Sequence, residues 1–500
     1  MSISFNRIPG PSQLRVPGTY AEFDGSLARQ GLPILSYNVL IMGQRLTTGP
    51  IPSEDVIRIT SVLDARIWFG RGSMLARMVE AYLNVDQFTP LYCLPLEDNA
   101  AGAKASRPVT ITGPATAAGT INFYVGGLRV QVGVSDTETA ESIATDLAAA
   151  INADLDLEAT ATVNAAVVTV TAKHKGEVGN AIDLRHSYLD GESLPAGVGV
   201  TIGELTSGTG NPDLSAIKSG TGLASLPDTW WQIMISPYTD SANLNEIHGE
   251  IHERYDPARE LYSEHITAMR GTFNELVAKG DQYPQLFYSS ICQAYDTISG
   301  IDVQAAQLGA MSAYYLAKEP GRPLGGIGTP LALPDVMPVP MNDRLRFEER
   351  NQLLFAGIAT VKVNNSDQVV IERLITTYQE NSSGDADDAF LRVETLANLW
   401  YLAWSWNNRI TTKYPRHSLA SEGFEVQPGQ AVVTPEVIKG EWEGQLLQWA
   451  KSALVENVDE GIANTVFQRN ESDVDRVDSD LGPDLINHFL VLAGKFSFRL

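Results

Sequence analysis

Apolar positions change their spacing several times along this chain, and each change marks a boundary. Residues 1–24 carry Ile3, Phe5, Ile8, Leu14, Val16, Tyr20 and Phe23 among Pro9, Pro11, Pro17, Gly10 and Gly18. Prolines this close together exclude a helix, because each removes a backbone donor and fixes φ. The segment reads as an extended arm. The final residues, Lys495-Phe496-Ser497-Phe498-Arg499-Leu500, alternate polar and apolar with the period of a strand. An apolar strand at a terminus must pair with something or become an aggregation hazard. Two readings stand for both ends: each arm packs back on its own domain, or each is donated as a strand to a neighbouring copy. Two donated arms on one chain imply a polymer.

Residues 25–98 read as the first part of an α/β core domain. A strand is expected at 34–42 and a second apolar stretch near 56–63. After Phe69-Gly70-Arg71-Gly72-Ser73 a helix is predicted over 74–83, with Leu75, Met78, Val79 and Tyr82 at helical spacing and Ser73 as its N-cap. A strand follows at 89–96. Composition shifts near residue 99. The stretch 99–206 is rich in Ala, Gly, Val and Thr and has no Trp. Strands are expected at 120–125 and 128–134 around a Gly126-Gly127 hairpin turn, a helix at 136–152 carrying Ile143, Leu147 and Ile151, and more strands over 159–172. This is a β-rich module with one helix, inserted into the core domain.

The core domain resumes over 207–340, with strands at 230–235, 262–268 and 286–288 and a helix at 241–255. It ends in a connector holding Pro320, Pro323, Pro330, Pro334, Pro338 and Pro340. Residues 341–484 read as a C-terminal α+β domain with a helix at 385–408. A second helix opens at Thr434-Pro435, an N-cap and N1 pair, and runs to about residue 456. Residues 485–500 form the terminal strand arm. The fold class is therefore α+β multidomain: an α/β core from separated segments, an inserted β-rich domain and two extended arms.

Composition narrows the function. Five hundred residues exceed one hydrophobic core, so roughly two to four domains are expected, and 44% hydrophobic residues suffice to fill them. A net charge of −24 argues against nonspecific nucleic-acid binding, since phosphates need a basic stripe. It also keeps free subunits soluble and makes any polymer of them salt-sensitive. Cys93 and Cys292 form no CxxC pair, so neither a disulfide framework nor a zinc site is expected; both thiols read as buried in a reducing compartment. No secretory leader opens the chain and no apolar run approaches the ~18 residues of a membrane span. Cytoplasmic synthesis without membrane insertion is the expectation.

Candidate chemistry fails in each place. His248-Gly249-Glu250-Ile251-His252 sets two histidines at i and i+4, but the glutamate is not next to the first histidine and no third ligand is evident. They read as exposed helix histidines. Gly70-Arg71-Gly72-Ser73 could hold an anion at a helix start, yet it lacks a P-loop ending and reads as a tight turn with an N-cap. Gly325-Gly326-Ile327-Gly328 has no helix pattern behind it, Ser215-Ala216-Ile217-Lys218 is too degenerate to mean a nucleophile, and no GxSxG elbow occurs. No catalytic residue, cofactor or metal is assigned. The run 471–484 holds six carboxylates against Arg476. It reads as a solvated turn or linker, or as a docking surface for a basic partner.

Several segments, taken in order, resemble the tail sheath protein of Mu-like contractile phages. The opening Ser2-Ile3-Ser4-Phe5-Asn6-Arg7-Ile8-Pro9, followed by Arg15-Val16-Pro17-Gly18-Thr19-Tyr20-Ala21-Glu22-Phe23-Asp24, is similar to that family's N-terminal arm. Phe69-Gly70-Arg71-Gly72-Ser73-Met74-Leu75-Ala76-Arg77-Met78 resembles its first-domain helix start. Val125-Gly126-Gly127-Leu128-Arg129-Val130 and Lys173-His174-Lys175-Gly176-Glu177-Val178-Gly179-Asn180 resemble its inserted module. Ala268-Met269-Arg270-Gly271-Thr272 completes the set. Each motif alone is weak, but their order along nearly the whole chain is specific.

The resemblance implies a structural protein. Six subunits would form a ring, and rings would stack as a helical sheath around a tail tube. Arms of neighbours would add strands to a sheet in each core domain. The 341–484 domain would face the tube and the inserted module would face outward. Contraction triggered at the baseplate would drive the tube through the host envelope for genome delivery. The implied partners are further copies, the tail tube protein, and baseplate and tail terminator proteins, with no direct nucleic acid. The implied place is the virion tail, after assembly in the host cytoplasm. Arm contacts are expected at Ile3, Phe5, Val16, Tyr20, Phe496, Phe498 and Leu500. A non-replicating injection machine, such as a tailocin, fits the same residues. A carbohydrate- or receptor-binding use of 100–204 stays open.

Overall fold

In the computed structural model, which describes residues 16–21, 32–328, 331–425, 427 and 429–499, the first regular element is β1, Val39–Gln44, buried at every position. Only the middle of a sheet covered on both faces asks for such a run. A short strand, β2 (Ile57–Ile59), is followed by the Val62–Phe69 helix, where Ser61 Oγ accepts the Asp64 N–H. The Met74–Leu83 helix lies where its periodicity predicts, with Ser73 Oγ accepting the Ala76 N–H at 3.2 Å. β3 (Leu91–Leu96) pairs parallel with β1, and β2 lies antiparallel along its outer edge.

The next strands, β4 (Lys104–Thr112), β5 (Gly119–Val125), β6 (Leu128–Val134), β7 (Ala159–Asn164), β8 (Val167–Lys175), β9 (Leu184–His186) and β10 (Gly199–Ile202), form two sheets of their own, ordered β10-β4-β8-β7 and β6-β5-β9. Gly126 (φ 55°) and Gly127 (φ 85°) turn the β5–β6 hairpin with positive φ at both central positions, as a two-residue loop requires. The Ala140–Ala153 helix, capped by Thr139, buries Ile143, Leu147 and Ile151 against Phe123, Val168 and Val170.

The chain then returns to the first sheet through β11 (Ile233–Ile235), β12 (Glu264–Met269) and β13 (Ser289–Gln293), all parallel to β1. The sheet order is β13-β12-β11-β1-β3-β2. This is a doubly wound arrangement whose direction reverses at β1 and β11. The Ser241–Arg254, Phe273–Gly280 and Ile301–Leu316 helices connect and cover these strands. A hairpin of β14 (Thr360–Val363) and β15 (Val369–Arg373) follows, and an Ala359–Cys292 bridge joins it to β13.

These strands belong to a unit of Leu35–Ala403 with the segment from Leu485 onward, so residues 341–403 pack with the sheet. A second unit is built on Trp404–Asp484. Its Pro435–Lys451 helix begins as predicted, with Thr434 Oγ1 accepting the Val437 N–H and proline in the first turn. Trp442 stacks edge-on to Trp406 and Trp449 at 5.2 and 5.3 Å, while Arg409 holds Glu441 at 2.7 Å.

The structure corrects several expectations. The apolar stretch near 56–63 divides into β2 and a helix that runs on to Phe69. The strand expected at 286–288 lies at Ser289–Gln293, because Phe287 and Tyr288 instead join an aromatic cluster with Tyr255, Tyr378 and Phe390. The long helix starts at Val393 rather than 385; residues before it are held extended by Glu380–Ala386 and Ile375–Arg392 bridges.

Candidate assembly interface

In doubly wound sheets, the crevice beyond the strand ends, where direction reverses, is the usual ligand seat. Here the inserted module fills it. Gln44, at the end of β1, donates to Asp98 Oδ1 at 2.7 Å and to the Lys175 carbonyl at 2.9 Å. His174 Nδ1 sits 2.9 Å from Asp98 Oδ1, and its Nε2 accepts the Met74 N–H at 3.1 Å. That acceptor role places the ring proton on Nδ1. Burial opposes the Asp98 charge, but hydrogen bonds from His174, the Lys175 N–H and Gln44 outweigh it and hold the carboxyl below its usual range.

Further ties surround this plug. Arg270, just past β12, donates to the Ala181 carbonyl at 2.9 Å. Arg77 pairs with Glu158 of the module and with Asp302 of the Ile301–Leu316 helix. Arg71 holds Asp156 Oδ2 at 2.6 Å. A Cβ on Gly72 (φ 72°) would lie 2.4 Å from the Leu155 carbonyl, so Gly70-Arg71-Gly72-Ser73 serves close approach and capping.

The histidine pair divides: His252 is exposed, as the sequence reading has it, while His248 is not, which corrects that reading. His248 is buried with Nε2 2.8 Å from Ser289 Oγ, and His252 meets the Tyr288 hydroxyl at 2.8 Å. Helix Ser241–Arg254 turns His248 onto β13, which spacing alone does not reveal. Both cysteines are buried, and burial raises the Cys292 thiol to about 12. Among the described residues, no group of His, Cys, Asp and Glu is placed to hold a metal, and no helix is long and apolar enough to cross a membrane.

Burial lowers His248 to about 4, and burial with the neighbouring His248 lowers His265 to about 3. Below pH 6.5 the unfolded chain takes protons that the folded chain refuses, so this stability is full above that pH and lost as pH falls toward 4. His248→Gln is expected to reduce the pH dependence of urea stability between pH 6.5 and 5 by roughly 1.4 kcal/mol per unit. Parallel slopes for variant and wild type would contradict this.

The expected arm residues divide. Ile3, Phe5 and Leu500 lie outside the described residues. Val16 and Tyr20 are exposed, and the Tyr20 hydroxyl donates to the Val16 carbonyl at 2.9 Å. Phe496 and Phe498 are 98% and 84% exposed, and residues 486–499 pair with no strand among those described. Phe489, Val491 and Leu492 are exposed beside them. The acidic run is not a plain linker. It is the turn and return strand of a Val466–Arg469 and Val477–Asp480 hairpin, a two-stranded sheet with no third strand among the described residues.

Residues 207–377 match the central domain of the phage tail sheath protein, and residues 385–499 match the phage tail sheath C-terminal domain. Across 500 residues, the whole of both chains, the sequence is 36% identical to the Mu-like prophage FluMu tail sheath protein of Haemophilus influenzae. This chain belongs to the phage tail sheath family. Two solved sheath structures share its fold. One is the sheath tail protein of Desulfitobacterium hafniense, at 14% identity and a TM-score of 0.50 over 94% of this chain and 97% of that one. The other is the PVC sheath complex of an extracellular contractile injection system in its contracted state, at 10% identity and a TM-score of 0.50 over 97% and 98%. The sheath chain is thus a structural protein of the phage tail sheath, not an enzyme.

Proposed function

We propose that this sheath chain polymerises with further copies as stacked hexameric rings around a tail tube, and that the polymer shortens to drive the tube through a host envelope. The observation that carries this reading is the exposed apolar C-terminal segment, which in a lone soluble chain would be an aggregation hazard. Residues 485–500 contain Lys495 and Arg499 and no acidic residue, in a chain of net charge −24. Such a segment is suited to pairing with the acidic hairpin of a neighbour through backbone hydrogen bonds. Ile3, Phe5, Val16 and Tyr20 would serve the other arm. Pairing through the backbone keeps neighbours joined while domains rotate.

The tail tube, baseplate and tail terminator proteins would be its other partners, and assembly would take place in the host cytoplasm. A tailocin-type machine would use the same subunit chemistry, and the likeness to the injection-system sheath suits that use equally. Negative-stain electron microscopy of the concentrated chain at moderate salt tests the self-assembly. Long hollow striated tubes are expected. Uniform small particles at every salt, with added tube protein as well, would overturn it.

A further inference from the structure

A cavity of about 130 Å³ opens between the β14–β15 hairpin, the loop after β13 and the start of the Phe347–Phe355 helix. Val336, Leu345, Val361 and Val369 are buried in its wall, while Met337 and Val363 are only half-buried, so it opens to solvent on their side. Gln293 Nε2 donates to the Val361 carbonyl at 3.0 Å, and Gln304 Nε2 donates to the Gln293 carbonyl at 2.8 Å. Of the polar side chains in the wall, only Thr297 holds a buried hydroxyl with no partner among the described residues. Apolar cavities of about this size take a benzene ring, so the space suits a phenyl side chain.

The charge lining this cavity is of one sign. Arg344, Arg350 and Lys362 line it, and no Asp or Glu does so among the described residues. The three cations share two carboxylates. Arg344 holds Asp367, whose side chain is 68% exposed, at 2.6 Å. Arg350 holds Glu372 at 2.8 Å, and Lys362 reaches the same Glu372 only at 3.7 Å. Asp296, just beyond Tyr295, lies 3.7 Å from Arg270. Lys362 therefore has no counter-charge of its own. An occupant that brings a ring together with negative charge matches both the space and its rim.

We propose that this cavity receives the Phe424 ring of a second copy of this chain, with Glu422 and Glu425 of that copy set against its basic rim. The proposal rests on the self-assembly reading above and deepens it. Phe424 is 50% exposed and stands between two exposed glutamates that form no ion pair among the described residues. The turn that carries it is held in place. The Phe424 N–H donates to the Ser421 carbonyl at 3.3 Å, Gly423 adopts φ 80°, and Arg469 donates to Ser421 Oγ at 2.9 Å. Other exposed phenylalanines match the rim less well. Phe496 and Phe498 lie beside Lys495 and Arg499, Phe347 has Arg346 as well as Glu348 next to it, and Phe355 and Phe489 have no acidic neighbour in sequence. Phe88 already packs 6.3 Å from Tyr314. Such a contact ties the second unit of one subunit to the sheet-bearing unit of the next.

Two measurements on the full chain test this. With the photoreactive analogue p-benzoylphenylalanine at position 424, irradiation of the concentrated chain is expected to give dimers joined at Met337, Val361 or Val363. In sedimentation, Phe424→Ala is expected to raise the critical concentration for assembly by about thirtyfold, the loss of one aromatic anchor. Lys362→Glu should also weaken assembly, and adding Glu422→Lys with Glu425→Lys should restore it. The absence of links to the cavity, or links only within one chain, overturns the proposal even where tubes form. Links at the cavity without tubes uphold the contact, while the stacked-ring reading fails. No rescue by the two lysines overturns the charge match that singles out Phe424. Should Lys362→Glu not fold, the photo-cross-link decides alone.

Discussion

A chain ending at Leu490 should fold and stay soluble yet form no tubes. Residues 491–499 are exposed throughout and pair with nothing among the described residues, so their removal takes little from the folded subunit. Stopping after Leu490 keeps its contact with Gly326 and leaves the root of the arm seated. What is lost is a donated strand. A handful of ladder hydrogen bonds at about 1 kcal/mol each shifts an assembly constant by several powers of ten. Sedimentation and negative-stain images of the truncated chain check this, with circular dichroism as the control for folding. Tubes of normal length from the truncated chain would show that the C-terminal segment links nothing.

Arg77→Met should be the most damaging single substitution for the subunit itself. Arg77 is nearly buried and stands between Glu158 and Asp302, whose side chain is 3% exposed. Removing the cation leaves two buried carboxylates facing each other with no counter-ion, a change that costs roughly 3–5 kcal/mol. Urea unfolding should show that loss. Neutralising the acids as well, with Glu158→Gln and Asp302→Asn, should recover much of it, since the penalty comes from the orphaned charges. If the triple variant is no better than Arg77→Met, the arginine matters through its packing.

Local chemistry was legible in the sequence where one element announces itself. The Met74–Leu83 helix has a hydroxyl cap and a regular apolar face, and the β5–β6 hairpin has two adjacent glycines, so both lie where the pattern put them. The Ile301–Leu316 helix gives no such sign. It is covered on nearly every side, and Ala305, Ala306, Gly309, Ala310 and Ala313 bring it close to the sheet. A helix buried all round has no polar face to supply a period. β13 hides for the opposite reason: Ser289, Ser290 and Gln293 look polar but are buried, with hydroxyl partners supplied from His248, His265 and the Ile375 carbonyl. The candidate site was half legible. Alternation marked out the C-terminal segment, but the His248–Ser289 contact joins residues 41 positions apart in sequence and needs the folded chain to appear.

The plug in the sheet's crevice has a mechanical consequence. The module grips the sheet at the end of β1 through Gln44, beyond β12 through Arg270, and at the start of the Met74–Leu83 helix through Arg71 and Arg77. A body pinned at one point swivels; pinned at several, it turns with its support. Torque applied to the module is therefore expected to reach the sheet, which makes the pair a crank rather than a pendant.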